Sequence, residues 1–171
     1  MKKLVCACAV LSVAFLAARP LDAHCEIPCG IYNDALRADL IAEHIATIEK
    51  SMAQIAELAA APAKNYNQIV RWVHNKEAHA TELQHIVTQY FLTQRVKPVA
   101  PGDKAKHAKY VAQLELLHGM LVAAMKAKQT TDLAHVKTLR ELLSAFRASY
   151  FGPQAHRHLR EHHHPVAAGR H

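Results

Sequence analysis

Residues 34–61 read DALRADLIAEHIATIEKSMAQIAELAAA. Leu36 opens an apolar series, and from Ile41 it continues through Ile45, Ile48, Met52, Ile55 and Ala59 at three- and four-residue steps. One continuous stripe at that period predicts a long amphipathic helix, because residues three and four apart share a helix face. Pro62 ends it, and Asn65 offers a side-chain oxygen to cap the next helix. A second helix is expected over 66–95, carrying Ile69, Val70, Val73, Leu83, Ile86, Val87, Tyr90 and Phe91, with a more polar stretch at 74–82. Pro98 and Pro101-Gly102-Asp103 form the clearest loop. A third helix is expected over 104–128 on Tyr110, Val111, Leu114, Leu117, Leu121 and Met125. A fourth follows over 133–150 on Val136, Leu139, Leu142, Leu143 and Phe146. Gln129-Thr130-Thr131-Asp132 joins these two and supplies cap candidates, and Gly152-Pro153 closes the series.

Composition agrees with this reading. The chain has 171 residues, of which 51% are apolar, enough for one domain with a real core. Its wealth of Ala, Leu, Lys, Gln and Glu favours helix, since these side chains lose little rotamer freedom there. Four amphipathic helices joined by short loops bury their stripes most simply as an antiparallel four-helix bundle, so the expected fold is all-α with the bundle over 33–152. No internal repeat is evident, and the stripes contain no obvious catalytic pair. They are core, and chemistry is to be sought elsewhere.

Residues 1–23 read as a cleaved signal peptide: Lys2-Lys3, an apolar run from Leu4 to Ala18, then Arg19-Pro20-Leu21-Asp22-Ala23. The run falls short of the roughly 20 apolar residues that a membrane span needs, so no stable anchor is expected after cleavage. An uncleaved N-terminal anchor is the alternative. Leu21 is bulky for its place before the cut, and His24 ahead of Cys25 argues against lipoprotein processing. A signal peptidase is thus an expected partner, and the product is exported, to the periplasm or beyond. Formal charge is +7 on the whole chain. The leader's Lys2, Lys3, Arg19 and Asp22 carry a net +2 of this, leaving +5 on the mature protein. The basic residues are spread along the helices without an aromatic-interleaved stripe, which argues against nucleic-acid binding, although a mild positive field attracts small anions.

Of four cysteines, Cys6 and Cys8 lie in the leader, so Cys25 and Cys29 are the only thiols of the mature chain. Two readings are open: a small disulfide in an oxidising compartment, or a pair of thiolate metal ligands. Cleavage before His24 would gather a free amine, an imidazole, the Cys25 backbone nitrogen and the Cys25 thiol in one short stretch. Nickel or copper binds such a set in a square plane of nitrogen and sulfur, whereas zinc prefers a tetrahedron. Cys29 completes the plane if the chain turns back, and Pro28-Cys29-Gly30 provides a fixed φ followed by a residue free to take positive φ. Residues 24–32 therefore read as a short hook ahead of the bundle, open to the disulfide and the metal-ligand reading alike.

The stretch His24-Cys25-Glu26-Ile27-Pro28-Cys29-Gly30-Ile31-Tyr32 resembles the nickel hook of the nickel superoxide dismutases, whose mature chains begin His-Cys-x-x-Pro-Cys-Gly-x-Tyr. The likeness continues through the first helix and the Lys76-Glu77 to Tyr90-Phe91 region, and thins beyond Pro98. It implies a homohexamer of four-helix bundles with one nickel per subunit and superoxide as substrate. It also implies the ligands: the His24 amine, the Cys25 amide nitrogen, the thiolates of Cys25 and Cys29, and the His24 imidazole as axial ligand of the oxidised metal. Tyr32 falls at the position of the tyrosine that limits access to the open face, and Tyr90 at that of a second such tyrosine; simple packing is the competing role for both. The Ile27-Pro28 bond would be cis by the same likeness. The glutamate and arginine that hold the axial imidazole in better-known members fall here at Leu40 or Ile41 and at Asn75, with Asp39 or Glu43 as candidate substitutes.

The tail, 153–171, carries His156, His158, His162, His163, His164 and His171 and reads as a flexible segment, either capturing nickel for the hook or merely solvated. His44, His74, His79, His85, His107, His118 and His135 read as surface or interface residues. Two rivals to the enzyme remain at this point: a non-catalytic nickel- or copper-delivery protein using the same hook, and a small helical interaction protein with a disulfide in its place.

Overall fold

The computed structural model describes residue 28 and residues 30–152, so the leader, His24, Cys25, Cys29 and the His-rich tail lie outside the described residues. The chain divides into two units, Met1–Ile31 and Tyr32–His171. In the first, Gly30 has φ +80°, a left-handed conformation that glycine takes without strain.

Among the described residues the second unit contains four α-helices: α1 (Asp34–Ala60), α2 (Tyr66–His85), α3 (Lys104–Gln129) and α4 (Ala134–Phe151). No strand occurs among the described residues. The start signals act as expected. Asn33 Oδ1 accepts from Leu36 N at 3.0 Å, Asn65 Oδ1 from Gln68 N at 3.2 Å and Asp103 Oδ1 from Lys106 N at 3.1 Å, each satisfying an otherwise unpaired first-turn amide. Before α4, Asp132 Oδ1 accepts from Ala134 N at 2.9 Å. Gly152, at φ +71°, ends α4.

Cross-helix contacts fix the topology. Ser51 meets Asn75 and Asp34 meets Tyr90, so α1 runs opposite to α2 and its extension. Gln84 meets Leu121 while Lys76 meets Lys128; Glu49 meets Arg140 while Asp39 meets Arg147; Gln113 meets Ser149 while Gly119 faces Leu142. In every pair one number rises as the other falls. The four helices form an antiparallel ring, α4 closing onto α1. Ile41, Ile45, Ile48, Leu83, Val87, Phe91, Leu117, Met120, Leu139 and Phe146 fill its centre.

Three details depart from the periodicity reading. The expected second helix is α-helical only to His85, and Ile86–Arg95 is a π-helix. Thr88 Oγ1 donates back to the Gln84 and His85 carbonyls, drawing acceptors out of the α ladder. Thr93 and Gln94 side chains donate to the carbonyls five residues behind them, and Val96 N bonds Phe91 O. In α3 the buried face is Gln113, Leu117, Met120, Ala123, Ala124 and Ala127, and Met125 is exposed. In α1, Leu36 and Ala59 face outward, with Ala38 and Ser51 taking core places.

Candidate metal centre

Tyr32 is the one residue of the expected site that lies among the described residues of the second unit, and its surroundings are built by α1 and the π-helical segment. Its ring meets the Tyr90 ring edge-on, centroids 5.9 Å apart at 76°, and the Arg95 guanidinium lies 4.2 Å above its centroid. An arginine at that distance is attracted by the ring's negative face. The Tyr32 hydroxyl has no hydrogen-bond partner among the described residues, and the side chain remains partly exposed. Arg37, one turn into α1, lies 5.2 Å from the Tyr90 centroid and forms no ion pair among the described residues.

Asp34 ties this cluster together. Arg95 donates Nε to Oδ1 and Nη2 to Oδ2, both at 2.8 Å, a two-pronged ion pair. Tyr90 donates to Oδ1 at 2.6 Å and Tyr150, from the end of α4, to Oδ2 at 2.8 Å. Burial by itself raises the Asp34 pKa, but these donors outweigh it and hold the carboxyl below its ordinary value. Burial and the Asp34 charge push the Tyr90 hydroxyl well above the usual tyrosine range and the Tyr150 hydroxyl up to about 12, so both stay protonated donors. Beneath them Phe91 meets Tyr90, Phe146 and Tyr150 edge-on at 5.0–5.7 Å, an aromatic block that leaves the network no room to shift.

The π-helical turn is what aims Tyr90 and Arg95 together at Asp34. Wider turns are frequent where a helix must rephase its side chains at a functional place. Of this cluster, the motif and the periodicity single out Tyr32 and Tyr90. Asp34, Arg95 and Tyr150 carry no signal of their own in the sequence, because they meet only after the ring closes.

The residues weighed around the His24 imidazole have these surroundings. Ile41 is in the core, Asp39 Oδ1 accepts from Arg147 Nη2 at 2.8 Å, and Asn75 Nδ2 donates to Ser51 Oγ at 2.9 Å. Leu40 packs against the core, and Glu43 is exposed. Among the described residues no three His, Cys, Asp or Glu side chains converge as a metal site.

The family model for nickel-containing superoxide dismutase matches residues 19–154, most of the chain including the hook. This chain belongs to that family. Nickel is accordingly its metal, and superoxide dismutation, an oxidoreductase activity, its reaction. No curated protein and no solved structure matches it. For this nickel enzyme the side chains present in the hook sequence, one imidazole and two thiols, are a donor set that suits nickel, and Gly30 stands at positive φ just after the second cysteine of the sequence.

Proposed function

We propose that the chain is exported, cut before His24, and holds one nickel ion through the His24 amine and imidazole, the Cys25 amide nitrogen and the Cys25 and Cys29 thiolates. The observation that carries this reading is the pair of mature thiols at 25 and 29 followed by Gly30 at positive φ, within a family whose metal is nickel. Nickel held there supplies one-electron chemistry, alternating between Ni(III) and Ni(II) as one superoxide is oxidised to dioxygen and a second, with two protons, is reduced to hydrogen peroxide. Two anionic sulfurs and a deprotonated amide donate charge to the metal, which lowers its potential into the range superoxide can drive in both directions.

The remaining roles fall to the protein around the hook. Tyr32, three residues after Cys29, restricts access to small anions and offers its free hydroxyl as a hydrogen-bond donor. Arg95 and Tyr90 position it, and Asp34 positions them. Since Arg95 is neutralised by Asp34, Arg37, which has no ion pair among the described residues, is the better source of attraction for an incoming anion. Exposed Tyr66 and Val70 on α2 support assembly into a homo-oligomer, for which six copies is the resemblance's expectation. The His-rich tail acts as a nickel-capturing segment for the hook.

Cys25→Ser and Cys29→Ser test the ligand assignment. Each is expected to abolish superoxide turnover and to remove the sulfur-to-nickel charge-transfer absorption, while leaving the helical circular dichroism intact. Either variant retaining wild-type turnover would rule out that thiolate as a ligand. A protein that binds nickel but never turns over superoxide would be a delivery protein instead.

A further inference from the structure

His44 on α1 and His79 on α2 are both half-buried, and their Nδ1 atoms stand 2.8 Å apart with ring centroids at 5.1 Å. Two imidazole nitrogens facing each other so closely either share one proton or converge on a cation. Glu82 follows His79 by three residues, on the same side of α2, and supplies negative charge beside the pair.

The separation also speaks to geometry. With metal–nitrogen bonds of about 2.1 Å, two ligands at a right angle lie about 3.0 Å apart and two at a tetrahedral angle about 3.4 Å. The observed 2.8 Å is a hydrogen-bond distance, and a parting of the rings by a few tenths of an ångström brings the two nitrogens to either spacing. We propose that His44 and His79 form a second metal site, a two-histidine clamp between α1 and α2 for a divalent ion of the nickel or copper class, to which imidazole is a suitable ligand. No third His, Cys, Asp or Glu converges on it among the described residues. Neither histidine belongs to the hook, and the proposal does not depend on the hook assignment. An ion in this place ties two helices together and therefore stabilises the bundle, which an ion on the His-rich tail does not.

The test uses the full mature chain already loaded with nickel, to which further Ni²⁺ is added. Thermal unfolding and equilibrium dialysis are followed for wild type, His44→Gln, His79→Gln and the double variant. At free nickel about 100 times the dissociation constant, the wild-type midpoint is expected to rise by roughly 5 °C. Each single variant should lose that rise and one equivalent of bound nickel, and the double variant should lose no more than either single. Glutamine is polar and of similar bulk, so the metal-free midpoints serve as the check that each variant is folded. A wild type that gains no stability from added nickel, single variants that keep the gain, or losses that add in the double variant would each overturn the proposal, the last by showing two separate adventitious ligands.

Discussion

Asp34 accepts four hydrogen bonds from three residues that the chain brings from the far end of the π-helical segment and the end of α4. Because its folded pKa lies below its ordinary value of 3.8, Asp34 contributes stability that is present above that value and lost as the pH falls through the folded one. Asp34→Asn is therefore expected to flatten the acid side of a stability profile measured by urea unfolding between pH 2 and 7. An unchanged acid limb would show that the carboxylate is not held by its donors. Tyr150 has the opposite sense: its folded pKa of about 12 lies above the ordinary 10.0, so its contribution is full below pH 10 and lost between pH 10 and 12, a loss Tyr150→Phe should remove. Asp34→Ala leaves Arg95 and two hydroxyls without their acceptor and should cost about 2–3 kcal/mol. It should also free the Tyr32 ring, read as increased Tyr32 side-chain mobility by NMR. At this scale the family was legible because its motif sits within nine consecutive residues, 24–32. Asp34, Arg95 and Tyr150 were not, since one polar residue per helix is unremarkable until the helices are placed side by side.

Among the elements, α3 shows how periodicity misleads when small residues form the buried face. Ala123, Ala124 and Ala127 carry little hydrophobic signal beside Leu121 and Met125, yet they are what permits close approach to the neighbouring helices. Ala124→Leu should overpack this contact and lower stability by about 1–3 kcal/mol in denaturant unfolding. Gly119 marks a similar approach: a Cβ there would lie 3.1 Å from the tip of the half-buried Leu142. Because that tip can turn aside while alanine gains about 1 kcal/mol in helix propensity, Gly119→Ala is expected within about 0.5 kcal/mol of wild type. Lys76 accounts for the polar stretch at 74–82. Almost fully buried, it donates to the Lys128 and Thr130 carbonyls at 2.7 and 3.0 Å, satisfying the end of α3 with a positive charge where the helix dipole favours one. The π-helix was invisible for a related reason. Apolar residues at 86, 87, 90 and 91 suit either winding, and the difference lies in threonine hydroxyls drawing on backbone carbonyls.

For the whole molecule, helix count, order and loop positions followed from four stripes and their breakers, because short loops allow few arrangements other than an antiparallel ring. Closure of α4 onto α1 involves Arg140 with Glu49 and Arg147 with Asp39, at 2.6 and 2.8 Å. The first pair is solvent-exposed and should contribute under about 1 kcal/mol, so 0.5 M salt is expected to leave the unfolding midpoint nearly unchanged, whereas Phe91→Ala at the centre should cost about 3–5 kcal/mol. The bundle is thus a stable support, and the account of its chemistry rests on a free amine at His24. That is tested most directly by comparing the chain beginning at His24 with one carrying a single alanine ahead of it, measuring nickel per chain and superoxide consumption in both. The account predicts about one hook nickel and rapid turnover for the first, and loss of turnover with an intact helical bundle for the second. Equal turnover by the extended chain would contradict it.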